Sequence, residues 1–164
     1  MHKLVHISTK SLLNSYVSEN PGDENSIMIR NRVVAGELVD DEIINTLVGL
    51  RANKKDVKNM GCCIDGYPKT SAQIKFMKDV LRIEPSWIFI LETSERAILE
   101  NSRNRMLDPL TGVKSEHRIV LGSQLEFANR LTEVPNETPE AVSKRLETWD
   151  DSKRLLMKAY SRSE

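Results

Sequence analysis

The sequence predicts an α/β layer fold built on a parallel sheet. Three observations carry that prediction. Short apolar runs at Leu4-Val5-His6-Ile7-Ser8, Gly61 to Asp65 and Trp87-Ile88-Phe89-Ile90-Leu91 have strand character. Longer segments of helical period separate them. The third run is apolar without interruption, as in a strand covered on both faces.

Each element has a local reason. A helix follows the first strand through Leu12, Leu13 and Tyr16 and stops before Pro21-Gly22. Asp23 to Ala35 is a second helix, with Ile27, Met28 and Val34 at helical intervals and Gly36 ending it. Asp40-Asp41-Glu42 puts negative charge where the next helix begins, which its dipole favours. Ile43, Ile44, Leu47, Val48 and Leu50 form the apolar side of that helix. The strand ending at Asp65 leads into a helix from Ser71 to Val80. Pro85 precedes the third strand, and Thr93-Ser94 caps a helix running to about Asn104. Residues 108–135 are the least regular, with turn signals at Asp108-Pro109 and Thr111-Gly112. The last helix starts at Thr138-Pro139-Glu140, with Pro in the first helical position. Val142, Leu146, Trp149, Leu156 and Tyr160 mark its buried stripe.

Composition narrows the function. A chain of 164 residues suits one domain. Lys plus Arg and Asp plus Glu number 24 each, which argues against a general nucleic-acid binder. No apolar run approaches the roughly 20 residues that span a bilayer, and the first residues lack a signal-peptide pattern. Cys62 and Cys63 point to opposite faces of a strand and cannot pair with each other. They read as reduced, buried residues of a cytoplasmic protein. With three histidines and no CxxC spacing, no metal centre is expected. His6 reads as a core histidine, and the charges of Asp56 to Lys58 as a solvated loop.

The most informative stretch is Cys62 to Gln73, Cys-Cys-Ile-Asp-Gly-Tyr-Pro-Lys-Thr-Ser-Ala-Gln. A strand ends at Asp65-Gly66 and a Tyr-Pro corner and one cation follow. A helix then opens with an amide in its first turn. That arrangement suits a phosphate and a base edge. It resembles the Asp-Gly-Phe-Pro-Arg-Thr signature of adenylate kinases and related nucleoside monophosphate kinases. Four more segments match that family in order: Ile7-Ser8-Thr9 with Leu12-Leu13, Ala35 to Glu42, Arg105 with Asp108 to Gly112, and Glu140 to Leu146. The resemblance implies a P-loop-kinase-like parallel sheet flanked by helices. Within one domain over residues 1–164 it implies a monophosphate-binding subregion at 10–39 and a lid at 106–137. The segment Asn129 to Pro135 looks most like adenylate kinase domains of cilia, so a cilium is the finer expectation for location.

The family moves the terminal phosphoryl of ATP to AMP, and Mg²⁺ accompanies the ATP. By resemblance, Thr9, Leu13 and the Val39 backbone face the AMP adenine, Gly66 and Lys69 its phosphate, and Gln73 its base edge. Asp65 lies near the magnesium and its waters, and Arg105 and Arg145 contact the phosphate chain between the nucleotides. Lys69, Arg105, Arg145 and Asp65 are thus the expected catalytic set.

The departures matter as much. No Gly-x-x-x-x-Gly-Lys-Ser/Thr loop occurs in the sequence, so the amide cradle and loop lysine for ATP are absent. The chain is expected to lack the family's first strand, phosphate loop and first helix, and its last strand and helix. Asn14, Asn101 and Val134 stand where the family has arginines, and Lys69 replaces an arginine and loses its bidentate fork. Loss of a single clamping donor can cost about 100- to 1,000-fold in rate. The expectation is therefore a domain inactive by itself, which holds AMP or another mononucleotide, or serves as a scaffold with a protein partner. No nucleic-acid or membrane partner is expected. Local readings stay open beside these: Thr70-x-x-Gln73 is also a capping box, Asp65 a turn cap, and Lys69, Arg105 and Arg145 surface cations.

Overall fold

The computed structural model describes residues 3–103, 105–108, 114–116, 131–134 and 137–161. Strand β1 (Val5–Ser8) pairs in parallel with β2 (Cys62–Asp65), Val5 opposite Cys62 and Ser8 opposite Asp65. Parallel neighbours need a long crossover. Here the crossover consists of helices α1 (Thr9–Glu19), α2 (Glu24–Val34), α3 (Asp41–Ala52) and α4 (Lys55–Met60). After β2 come α5 (Ser71–Lys75), a π-helical turn (Phe76–Val80) and α6 (Glu95–Arg103). Strands β3 (Arg105–Leu107), β4 (Lys114–Glu116) and β5 (Thr132–Glu133) form a small antiparallel sheet in the order β4-β3-β5. The long helix α7 (Pro139–Tyr160) closes the chain. A parallel sheet flanked by helices is the α/β arrangement expected.

The chain forms two compact units. One comprises Met1–Val33, Leu38–Ile90 and Trp149–Glu164, the other Val34–Glu37 and Leu91–Thr148. In the first unit, Leu13, Ile29, Val39, Ile44, Val48, Tyr67 and Met77 form one buried cluster. Its members come from α1, α2, the loop before α3, α3 itself, the turn after β2 and the π-helical turn, so the turn after β2 is anchored in the core. In the second unit, Gly36 has a φ of +72°, and a Cβ there would meet the Ala141 carbonyl oxygen at 2.5 Å. Only glycine permits that conformation and approach.

Several expectations need correction. Trp87 to Leu91 forms no strand; Trp87 is 80 % exposed, Phe89 82 % and Leu91 86 %. Apolar content alone does not make a strand, which also needs neighbours for its backbone. His6 is not a core residue: its side chain is 65 % exposed, with Nε2 3.6 Å from Asp65 Oδ2. Cys63 is exposed and only Cys62 is half-buried, because neither face of the two-stranded sheet is fully covered there. Asp56 to Lys58 lie in α4 rather than a loop, and Asp56 takes a two-pronged contact from Arg51 at 2.8 and 3.0 Å. That contact holds the Asp56 carboxyl below its usual range. The helix expected over Ser71–Val80 turns π-helical at Phe76, where the Leu81 amide donates to the Phe76 carbonyl five residues back. The expectations at Pro109 to Gly112, and at Asn129, Arg130, Pro135 and Asn136, lie outside the described residues.

Ser26 is fully buried in α2, and its hydroxyl has no hydrogen-bond partner. A buried unsatisfied hydroxyl costs about 1–3 kcal/mol, and alanine is the better helix former. Ser26→Ala is therefore expected to raise stability by about 1 kcal/mol in a urea melt. A loss of stability would show that the hydroxyl is paired.

Candidate functional site

The turn between β2 and α5 is held by one hydrogen-bond network. Thr70 is the N-cap of α5, and its hydroxyl accepts from the Gln73 amide at 3.1 Å. The Thr70 hydroxyl donates in turn to Asp41 Oδ2 at 2.8 Å. Gln73 Nε2 donates to Asp41 Oδ1 at 2.7 Å, and the Lys69 backbone amide donates to Gln73 Oε1 at 2.7 Å. Gln73 is only 3 % exposed. Asp41 opens α3, so one carboxylate ties the start of that helix to the turn.

Asn45, one helical turn after Asp41, extends the network. The Tyr67 hydroxyl donates to Asn45 Oδ1 at 2.8 Å and lies 3.2 Å from the Gln73 carbonyl oxygen. Burial, with the Asp41 and Tyr160 charges adding to it, pushes the Tyr67 phenol up to about 12. The Tyr67–Pro68 peptide is cis. Gly66 completes the corner with a φ of +74°, and a Cβ there would meet Thr9 Oγ1 at 2.9 Å. Thr9 Oγ1 reaches the Gly66 carbonyl at 3.4 Å, at the limit of a hydrogen bond.

The expected site residues therefore divide. Thr9, Gly66, Lys69 and Gln73 gather at the C-terminal ends of β1 and β2, where open α/β sheets place ligands. Asp65 ends β2 beside His6, with its side chain 65 % exposed. Leu13 and Val39 are core residues of the same unit. Arg105 and Arg145 belong to the second unit. Arg105 Nη1 bonds Glu137 Oε1 at 3.1 Å, and the Glu137 side chain is only 6 % exposed. Arg145 is exposed on α7. A cleft of about 390 Å³ lined by Tyr16, Asn25, Asp40 and Glu42 contains none of these residues. Its two carboxylates do not suit a phosphate.

Sequence reasoning gave no site role to Asp41 or Asn45. Asp41 was read only as a helix-start charge. The available signal was the i, i+4 spacing of two polar side chains, which sets them on one face of the helix.

Among the described residues no group of three or more His, Cys, Asp or Glu side chains could hold a metal. Asp65 offers one solvated carboxylate. It fits a contact to the water shell of a Mg²⁺ carried by nucleotide phosphates rather than a protein cage. No described helix is long and apolar enough to cross a membrane.

Helices on a parallel sheet, with a Gly-Tyr-Pro-Lys-Thr turn leaving its C-terminal edge, define the class of nucleotide-kinase-like proteins. Comparison with known proteins is more particular. The chain is 31 % identical over 159 residues to the maize (Zea mays) "Adenylate kinase, chloroplastic", covering 97 % of this chain and 70 % of that protein. It is 31 % identical over 157 residues to the rice (Oryza sativa subsp. japonica) "Probable adenylate kinase 2, chloroplastic", covering 96 % of this chain and 53 % of that one. An adenylate kinase of Mesomycoplasma hyopneumoniae is 28 % identical over 169 residues, with 76 % of it covered. No family model matches. The chain belongs to the adenylate kinase family; it spans about half the length of the rice relative.

The raised Tyr67 value sets a pH dependence. Between the ordinary phenol value of 10 and about 12, the unfolded chain ionises Tyr67 while the folded chain does not. The stability Tyr67 contributes is thus complete below pH 10 and is lost as pH rises toward 12. Urea melts across this range should show the wild type losing its advantage over Tyr67→Phe. Parallel pH curves would contradict this.

Proposed function

We propose that this chain holds the acceptor nucleotide, AMP, of the adenylate kinase reaction and does not transfer phosphoryl groups by itself. The observation that carries the reading is the preassembled turn after β2. Gly66 and Lys69 stand there at the sheet's C-terminal edge, with the Lys69 amide fixed by Gln73 and Asp41. A backbone already held in place binds an anion without a further ordering cost. Lys69 supplies the charge for the AMP phosphate, Thr9, Leu13 and the Val39 backbone border the base, and Gln73 presents an amide to its edge. Asp65, at the end of β2, serves the waters of a Mg²⁺ carried by the nucleotide.

ATP is the weak side of this reading. The sequence has no phosphate loop. Phosphoryl transfer depends almost wholly on positioning and charge stabilisation. A second reading, a scaffold in a larger assembly, is favoured by one observation: the exposed apolar segment Trp87 to Leu91. That reading predicts no heat with AMP.

Calorimetry with AMP is expected to show binding that weakens about tenfold or more in Lys69→Ala, the scale of a hydrogen bond to a charged group. A coupled assay with ATP, AMP and Mg²⁺ should show no ADP formation above background. Silence at millimolar AMP would refute the binding reading, and ADP formation by this chain would refute inactivity.

A further inference from the structure

The Gln73 amide can stand only one way round. A backbone N–H can only donate, so the Gln73 atom 2.7 Å from the Lys69 nitrogen is the carbonyl oxygen. An ionised carboxylate can only accept, so the atom 2.7 Å from Asp41 Oδ1 is the amide nitrogen. Asp41 is itself held, because its other oxygen accepts the Thr70 hydroxyl at 2.8 Å. The two constraints differ in strength. The bond to Asp41 is charge-assisted and about twice as strong as a neutral one. The bond to the Lys69 amide is neutral.

Each bond uses one of two positions on its atom. Gln73 keeps one N–H and one oxygen lone pair in fixed relative order. Two purine monophosphates of nearly the same shape demand opposite orders. Adenine offers a ring-nitrogen acceptor beside an amino donor. Hypoxanthine offers a ring N–H donor beside a carbonyl acceptor. For a base seated in one position, a locked amide satisfies one order and opposes two like groups in the other.

We propose that Asp41 is a specificity-determining positioning residue, whose carboxylate fixes the orientation of the Gln73 amide and so selects AMP over IMP. Asp41 touches no nucleotide in this role; it acts through Gln73. The inference rests on the acceptor-site reading above and adds to it the source of base discrimination. Removal of the carboxylate leaves only the Lys69 bond against inversion of the amide, and either base is then accommodated.

The test is calorimetry of the full chain with AMP and with IMP, for wild type, Asp41→Ala and Asp41→Asn. Wild type is expected to prefer AMP by about tenfold or more, the scale on which a mispaired polar contact is rejected. Asp41→Ala should reduce the ratio to about threefold or less. Asp41→Asn retains an oxygen that accepts from Gln73 and should keep the ratio within about twofold of wild type. A structural role alone would weaken both nucleotides together and leave their ratio unchanged. An unchanged ratio in Asp41→Ala, or a lost one in Asp41→Asn, overturns the proposal. If the Ala variant does not fold, Asp41→Ser takes its place: a hydroxyl donates or accepts alike and does not orient the amide, so the ratio should fall as for alanine, and an unchanged ratio overturns the proposal. Binding of AMP with no preference over IMP overturns this inference alone; no binding of AMP overturns the acceptor-site reading and this inference with it.

Discussion

One carboxylate holds the candidate site together. Asp41 starts α3 and accepts hydrogen bonds from the side chains of Thr70 and Gln73 at 2.8 and 2.7 Å. Helix α3 is anchored by Ile44 and Val48, and the turn by Tyr67, all within one buried cluster. The carboxylate thus couples a polar turn to an apolar core. Half-buried polar groups are costly when unpaired and specific when fully paired. Here Thr70, Gln73 and the Lys69 amide satisfy one another and Asp41. The backbone around Lys69 is therefore set by tertiary contacts and not by local turn preference alone.

Legibility in the sequence followed the range of the interaction. The Thr70 cap on Gln73 is local, and the Thr-x-x-Gln spacing announced it. The helices α1, α2, α3 and α7 were readable from apolar period and from Pro and Gly signals, with ends within a few residues. The reach of Asp41 across 32 residues to Gln73 was not readable, because a charge at a helix start already had a sufficient local explanation. His6 and Cys63 are expected to be buried, yet they sit opposite each other on one face of the β1–β2 pair, and that face leaves both side chains exposed. Trp87 to Leu91 was misread for a related reason. An apolar run states a preference for burial, while strand formation requires a partner backbone.

Family membership and retained function are separate matters. The likeness to adenylate kinases of maize and rice extends over nearly the whole chain. Yet the residues proposed for the acceptor and those proposed for the donor are unevenly kept. Gly66, Lys69 and Gln73 stand in place, and Gly66 is required twice, by its positive φ and by the nearness of Thr9. Arginine is absent at positions 14, 101 and 134. Arg105 is occupied by the nearly buried Glu137 carboxylate, so any phosphate contact from Arg105 competes with that pair.

The central claim is that an acceptor nucleotide settles on a turn already built. Backbone amide chemical shifts recorded during an AMP titration test it most directly. The account predicts that the largest shifts fall on Gly66, Lys69 and Thr9, with the remainder of α3 nearly unmoved. Shifts spread over the core of the first unit, or confined to residues away from this turn, would contradict it.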